Sequence, residues 1–385
     1  MAGKNRRFAV AVAIIALLIA PNLSAPEPEN NRLKSCNTQS KTWRAIHLTG
    51  PSHENLNTTK QLIAEVLAPM QINVLILEVN YSFQFTSHPE LASEKGLTAN
   101  DARQLTELSR KHGIRLIPLF NCLGHQSWAK NTFALLEKYP QFDETPHIPK
   151  HNHDIYCREW CPSHPEVNKI IFELMDELID AFDADALHVG MDEVFLIGDE
   201  KCPRCKGKDT GELFAKAVND YHKHLVTERK VEMLIWGDRL LDTDVTGYGT
   251  WEASKTGSHR AVDLVPKDII ICDWHYETMP DYPSVRFFQQ KGFRVLPATW
   301  KNPDAAIALL KCARKDATEK MLGILFTNWS GGRGQQQLLA ALKDSKDTKE
   351  PPDISDTTKG VADAMKLCLE ELNKTPQKPE KQPTK

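Results

Sequence analysis

Short runs of consecutive apolar residues recur along the chain, each followed by enough sequence for a helix. They are Arg44–Leu48, Asn73–Val79, Ile114–Phe120, Ala186–Gly190, Glu232–Trp236, Ile269–Trp274, Phe293–Ala298 and Gly323–Trp329. Runs of this length, rich in Val, Ile and Leu and bounded by polar segments, predict strands buried on both faces. Between them the apolar spacing changes to that of amphipathic helices. Thr98 caps a helix predicted to end at Gly113. Ser163 with Pro165 opens another predicted to run to Phe182, with Ile170, Leu174, Leu178 and Ile179 on one face. Eight strands, each with room for a crossover helix after it, predict an α/β fold, the (β/α)8 TIM barrel, as a single domain. A doubly wound open sheet would need a glycine-rich turn after its first strand, and His47-Leu48-Thr49-Gly50-Pro51 does not supply one.

The ends of the chain break this alternation. Lys4, Arg6 and Arg7 precede an unbroken apolar stretch from Phe8 to Ala20, and small residues follow at Ser24 and Ala25. Such a stretch falls short of the roughly 20 residues that span a bilayer, so residues 1–25 read as a signal peptide and the protein as exported, secreted or periplasmic. No stable membrane insertion is expected after cleavage. Residues 26–42 form a linker, 43–372 the barrel, and 373–385 a solvated tail holding four Lys and three Pro.

Composition narrows the function classes. Of 385 residues, 41% are apolar and 26% charged, and the net charge is −3. That near balance argues against a nucleic-acid partner, which calls for a basic face. The chain has nine cysteines, so at least one thiol has no partner within the chain. Cys157 with Cys161, and Cys202 with Cys205 in a C-x-x-C, could hold a structural zinc or staple two loops as disulfides; the spacing leaves both open.

In a barrel of this kind the chemistry sits at the C-terminal ends of the strands. Those ends read Glu78-Val79-Asn80-Tyr81, Asn121-Cys122-Leu123-Gly124-His125, His188-Val189-Gly190-Met191-Asp192-Glu193, Trp236-Gly237-Asp238, Asp273-Trp274-His275-Tyr276, Thr299-Trp300 and Asn328-Trp329. Carboxylates and flat aromatic faces on one rim suit a sugar. Glycosidases usually place two carboxyls across the scissile bond, whereas adjacent residues on a strand point to opposite faces. Just past a strand end, Asp192 and Glu193 can both reach one pocket. That pairing suits a mechanism in which the substrate's own acetamido group attacks the anomeric carbon.

The segment Leu187-His188-Val189-Gly190-Met191-Asp192-Glu193-Val194 resembles the H-x-G-x-D-E signature of glycoside hydrolase family 20, the β-N-acetylhexosaminidases. Gly113–Pro118 with Leu123-Gly124-His125 is similar to the family's third strand and P-G-H turn, with Leu123 in place of proline. Leu234–Asp238 is similar to its fifth strand, and Trp329 stands where its eighth-strand Trp falls. The resemblance is strongest to the short hexosaminidase D-like branch, which lacks the accessory N-terminal domain.

It implies a retaining, exo-acting β-N-acetylhexosaminidase that removes terminal N-acetylglucosamine or N-acetylgalactosamine from oligosaccharides or glycoconjugates, through an oxazolinium intermediate and without a cofactor. Asp192 would orient the acetamido group, and Glu193 would serve as general acid and then base. Glu78, His125, His188, Trp236, Trp274, Tyr276 and Trp329 would line the substrate site, the two histidines as buttresses of the carboxylates. Tyr276, or failing it Tyr81, would hydrogen-bond the acetamido oxygen. One departure stands out: the Arg that ends the first strand in many members is missing, because Arg44 lies at the other end, so Glu78 would bind the sugar hydroxyls. Two alternatives are a non-catalytic sugar-binding barrel and a metal-dependent hydrolase using His125, His188, Asp192 and Asp238.

Overall fold

Eight parallel strands close on themselves in this computed structural model. The structure describes residues 42–128, 130–150, 155–343 and 353–374. The expected leader, all but the last residue of the linker and the tail beyond Lys374 therefore lie outside the described residues. The barrel strands are β1 (Trp43–Thr49), β2 (Val74–Glu78), β3 (Arg115–Cys122), β4 (Ala186–Gly190), β5 (Glu232–Trp236), β6 (Ile270–Trp274), β7 (Arg294–Thr299) and β8 (Gly323–Asn328). Neighbours in sequence are neighbours in space, and β8 returns to pair with β1 from Trp43↔Gly323 to Leu48↔Asn328. The fold is the TIM barrel that the apolar runs predict.

Alternation along each strand sorts the residues into two sets. Ala45, Val74, Ile76, Ile117, Leu119, Ala186, Leu234, Ile270, Cys272, Leu296, Ala298 and Leu325 pack together with Trp236 and Trp274 as the barrel's interior. Their neighbours, among them Ile46, Leu75, Leu77, Phe120, Leu187, Ile235 and Ile271, join the larger core beneath the helices. Two residues beyond the last apolar inward position, the same parity delivers His47, Glu78, Asn121 and His188 to one end of the barrel. The site is thus built by continuing the core pattern with polar residues.

The helices follow their sequence signals with local differences. Ala99–Lys111 starts with a complete capping box, Thr98 accepting from the Asp101 amide while Asp101 accepts from the Thr98 amide. The helix Val167–Ala181 buries Val167, Ile171, Leu174, Met175, Leu178 and Ile179, so Ile170 lies at the edge of the buried stripe. Between β5 and β6 there is no long helix. That crossover is a loop with a short helix at Thr243–Thr246 and a 3-10 segment at Ser258–Asp263. Gly247 and Gly257 there adopt φ of 73° and 90°, which ordinary side chains resist and which interrupt helical continuation. Arg239, fully buried, gathers this loop by donating to the carbonyls of Thr250, Trp251 and Ala253.

Just beyond β6, His275 is fully buried between Glu252 Oε2, 2.6 Å from Nδ1, and Asp273 Oδ1 and Ser284 Oγ at Nε2. Burial disfavours the imidazolium, but Asp273 and Glu252 outweigh it and raise the pKa to about 9. A group raised above its unfolded value of about 6.5 stabilises the fold fully below that pH and ceases to as pH rises through about 9. Melting curves from pH 6 to 10 should therefore show wild type losing stability on the order of 3 kcal/mol relative to His275→Gln, the worth of this shift. Parallel curves for the two proteins would refute the charge assignment.

Candidate active site

The turn after β4 carries the two central carboxylates. Gly190, Met191 and Glu193 take φ of 66°, 69° and 52°, and in the adjoining turn after β3 Leu123 and His125 take 66° and 53°. Four non-glycine residues in this region mark a strained segment held by its surroundings. At Leu123 the angle is one that a proline ring forbids, so this turn differs in backbone from a P-G-H turn. A Cβ on Gly190 would clash with the Asn121 side chain and lie 3.0 Å from its Cα, and the φ of 66° also favours glycine here.

His125 ties the carboxylates together. Its Nε2 lies 3.1 Å from Asp192 Oδ2 and 3.3 Å from Glu193 Oε2. Burial alone would push Asp192 up, but the His125 charge and hydrogen bond hold it below its ordinary value. Reciprocally, burial works against a charged His125, and Asp192 overrides it to raise the histidine well above its usual range. The other Asp192 oxygen, Oδ1, is buried with no hydrogen-bond partner. A buried carboxylate oxygen left unsatisfied costs roughly 1–3 kcal/mol, and a donor arriving from a ligand recovers it.

Asp238 positions Glu193 from below. Its Oδ2 accepts the Glu193 amide at 2.9 Å and Arg239 Nε at 2.7 Å, and its Oδ1 accepts the Trp274 indole N–H at 3.2 Å. Burial chiefly, with Asp192 and Glu193 nearby, raises its pKa to about 6 despite Arg239. Tyr156 faces Glu193 and His125 from the loop after β3, its ring edge-on to the imidazole with centroids 6.0 Å apart. Around it, Phe195 and the half-exposed Trp128 and Trp251 surround the same ring.

A second group lies across the barrel mouth. Glu78 accepts from Asn80 and Asn121 at Oε1, at 2.7 and 2.9 Å, while His47 Nε2 lies 3.2 Å from its Oε2. Burial opposes its charge, yet these donors hold its pKa below the ordinary value. His47 also lies against Trp329, the rings tilted by 42° with centroids 4.3 Å apart. Arg44, at the opposite end of β1, bonds Gln71 and Asn373 and takes no part. Trp236 is buried as a floor against His47, His188 and Trp329. The Tyr276 ring lies tilted against Trp274 with centroids 5.0 Å apart, and its hydroxyl accepts the Trp329 indole N–H at 3.2 Å beside the Thr327 hydroxyl. Burial raises its pKa far above the ordinary value, so the hydroxyl proton stays in place.

Several sequence expectations are redistributed. His188 is fully buried, accepts the Gly190 amide on Nδ1 and has a pKa lowered to about 3 by burial, so it is a neutral residue beneath Trp236 and does not line the open pocket. Tyr81 donates its hydroxyl to Gln126, so of the two tyrosines Tyr276 is the one left for the acetamido oxygen. The four residues of the metal-hydrolase set do not come together as a set: His125 and Asp192 meet, with Glu193 as the third group within 4.8 Å, whereas Asp238 is taken up by Glu193, Arg239 and Trp274 and His188 by Gly190. Cys157 points at the Glu193 carbonyl, 3.8 Å away, and Glu144 takes its expected place beside Cys161, Cys202 and Cys205. His47, Asn80, Asn121 and Tyr156 were not singled out by the sequence. The inward parity of β1 and β3 would have found His47 and Asn121, whereas nothing local marks Tyr156.

Known proteins share this chain's fold and part of its sequence. The family model described as glycosyl hydrolase family 20, catalytic domain, matches residues 41–330. The β-hexosaminidase subunit beta of Mus musculus is 28% identical over 222 residues, which are 52% of this chain and 39% of that protein. The chitobiase of Flavobacterium johnsoniae has a similar fold, with a TM-score of 0.58 at 18% identity over 86% of this chain and 50% of that one. An exo-β-N-acetylglucosaminidase from Vibrio harveyi, solved with N-acetylglucosamine, gives 0.54 at 15% identity over 86% and 58%. The chain thus spans well under two thirds of the length of each of these relatives.

Proposed function

The chain belongs to glycosyl hydrolase family 20, and from that premise we propose that it is a retaining, exo-acting β-N-acetylhexosaminidase working by substrate assistance. The observation that carries this reading is the unpartnered Oδ1 of Asp192, beside a Glu193 held in place through its own backbone. An acetamido N–H supplies the donor that Asp192 lacks, and the Tyr276 hydroxyl donates to the acetamido carbonyl. So oriented, the carbonyl oxygen attacks the anomeric carbon while the glycosidic C–O bond breaks and Glu193 protonates the leaving oxygen. Asp192, kept ionised by His125, balances the positive charge of the oxazolinium ring. Water then attacks the same carbon, gives its proton to Glu193 and reopens the ring, so the configuration is retained.

Glu78, ionised and fixed by His47, Asn80 and Asn121, accepts from the sugar hydroxyls in the role that an arginine serves in many members. That substitution supports placing the chain with the short hexosaminidase D-like members. The basic and apolar residues 4–20 support export after removal of residues 1–25; N-terminal sequencing of protein from its native cell, starting at Pro26, is the expected result, and an intact Met1 would refute it.

Release of nitrophenol from the β-N-acetylglucosaminide, the β-N-acetylgalactosaminide and the plain β-glucoside tests the reaction. Cleavage of the N-acetyl substrates alone is expected. Equal cleavage of the glucoside would eliminate substrate assistance, and failure on all three would leave a sugar-binding barrel.

A further inference from the structure

Away from the carboxylates, four buried side chains converge with no disulfide among them. Cys161 Sγ lies 3.4 Å from Cys205 Sγ and 3.6 Å from Cys202 Sγ, and Cys202 Sγ lies 3.1 Å from Glu144 Oε2. All four residues are fully buried, and their ligand atoms fall within 4.8 Å of one another. A tetrahedron around zinc, with Zn–S of about 2.3 Å and Zn–O of about 2.0–2.2 Å, has edges of roughly 3.5–3.8 Å. The three separations given lie within about half an ångström of those edges. The second Glu144 oxygen accepts the Gly198 amide at 2.9 Å, which aims the first one at the sulfurs. Such an outer contact to a ligating carboxylate is usual in metal sites.

We propose that Glu144, Cys161, Cys202 and Cys205 bind one structural zinc ion in a closed tetrahedral site. The donor set is soft and sulfur-rich, with the same total charge as four thiolates, and it leaves no position open for substrate. A Cys161–Cys205 disulfide would instead leave the Cys202 thiol facing a buried carboxylate whose donors are that thiol and the Gly198 amide, with no cation to balance its charge.

The ion would fasten the two loops that build the active site. Glu144 and Cys161 bracket the segment carrying Tyr156 and Cys157, and Cys202 and Cys205 follow the turn carrying Asp192 and Glu193. Glu159, in the first loop, already accepts the Phe195 and Leu196 amides of the second. Zinc binding adds a cross-link a few residues further out, so it holds the Glu193 turn without taking part in the chemistry.

The test is the metal content of the full chain, purified without chelators or added thiols and dialysed against metal-free buffer. One zinc per chain is expected, retained in Cys157→Ser and lost in Glu144→Ala and Cys205→Ser. If those two variants do not fold, cobalt substitution of the wild type decides. A tetrahedral visible spectrum with a thiolate charge-transfer band in the near ultraviolet is expected. A metal-free chain, a Cys161–Cys205 disulfide in peptide maps, stoichiometric iron in place of zinc, an octahedral cobalt spectrum, or loss of zinc in Cys157→Ser alone would each overturn the assignment. These readouts stand whether or not the chain cleaves N-acetylhexosaminides.

Discussion

Asp192→Asn is expected to lower kcat on β-N-acetylglucosaminides by about 10³-fold, the scale of losing one preorganised electrostatic contact in a water-poor site. Two effects combine in the change. The amide has no charge to balance the oxazolinium, and its NH2 group competes for the side now open to the acetamido N–H. His125 also loses the carboxylate that keeps it charged, so the proton network among the three groups is disturbed. KM should change far less than kcat, because the missing charge matters most when the ring closes. Steady-state kinetics on the folded variant, its melting temperature compared with wild type, provide the check. A loss smaller than tenfold would exclude Asp192 from the role of charge partner.

Glu193→Gln is expected to divide substrates by leaving group. Glycosides with a sugar leaving group, whose oxygen must be protonated as the bond breaks, should slow by about 10²–10⁴-fold, the usual contribution of general acid catalysis. Nitrophenyl glycosides leave as stable anions and should lose much less in the first step. Glutamine keeps the size of the side chain, and the backbone amide at position 193 still bonds Asp238, so the turn should remain in place. A plot of log rate against leaving-group pKa should therefore steepen in the variant. Wild-type hydrolysis of N,N′-diacetylchitobiose by the variant would refute the assignment of Glu193 as the acid.

The barrel was legible because its signal is local. A strand buried on both faces must be apolar throughout, and eight such runs separated by helical rhythm leave few other ways to cover both faces of a parallel sheet. Asp192 and Glu193 stood out because a polar pair directly follows one of those runs, at the barrel end where side chains meet. Arg44 could be excluded from the site by strand direction alone. Helix ends were legible for the same reason, since Thr98 and Asp101 satisfy each other's amides over three residues of chain.

Tertiary structure decided what depends on residues far apart in sequence. Glu144 lies 17 positions before Cys161 with no motif between them, and only the paths of the loops after β3 and β4 bring it to the three sulfurs in place of Cys157. Tyr156 reaches Glu193 by the same folding-over. Asp238, read from sequence as a possible metal ligand, became a positioning residue because Arg239, Trp274 and the Glu193 amide all reach it first. Period and polarity along one strand specify which residues face inward and at which end of the barrel. Which inward groups share a proton, a charge or an ion depends on distances of about 3 Å between elements, and those are set by the closed sheet and by positive-φ turns such as Gly190–Glu193.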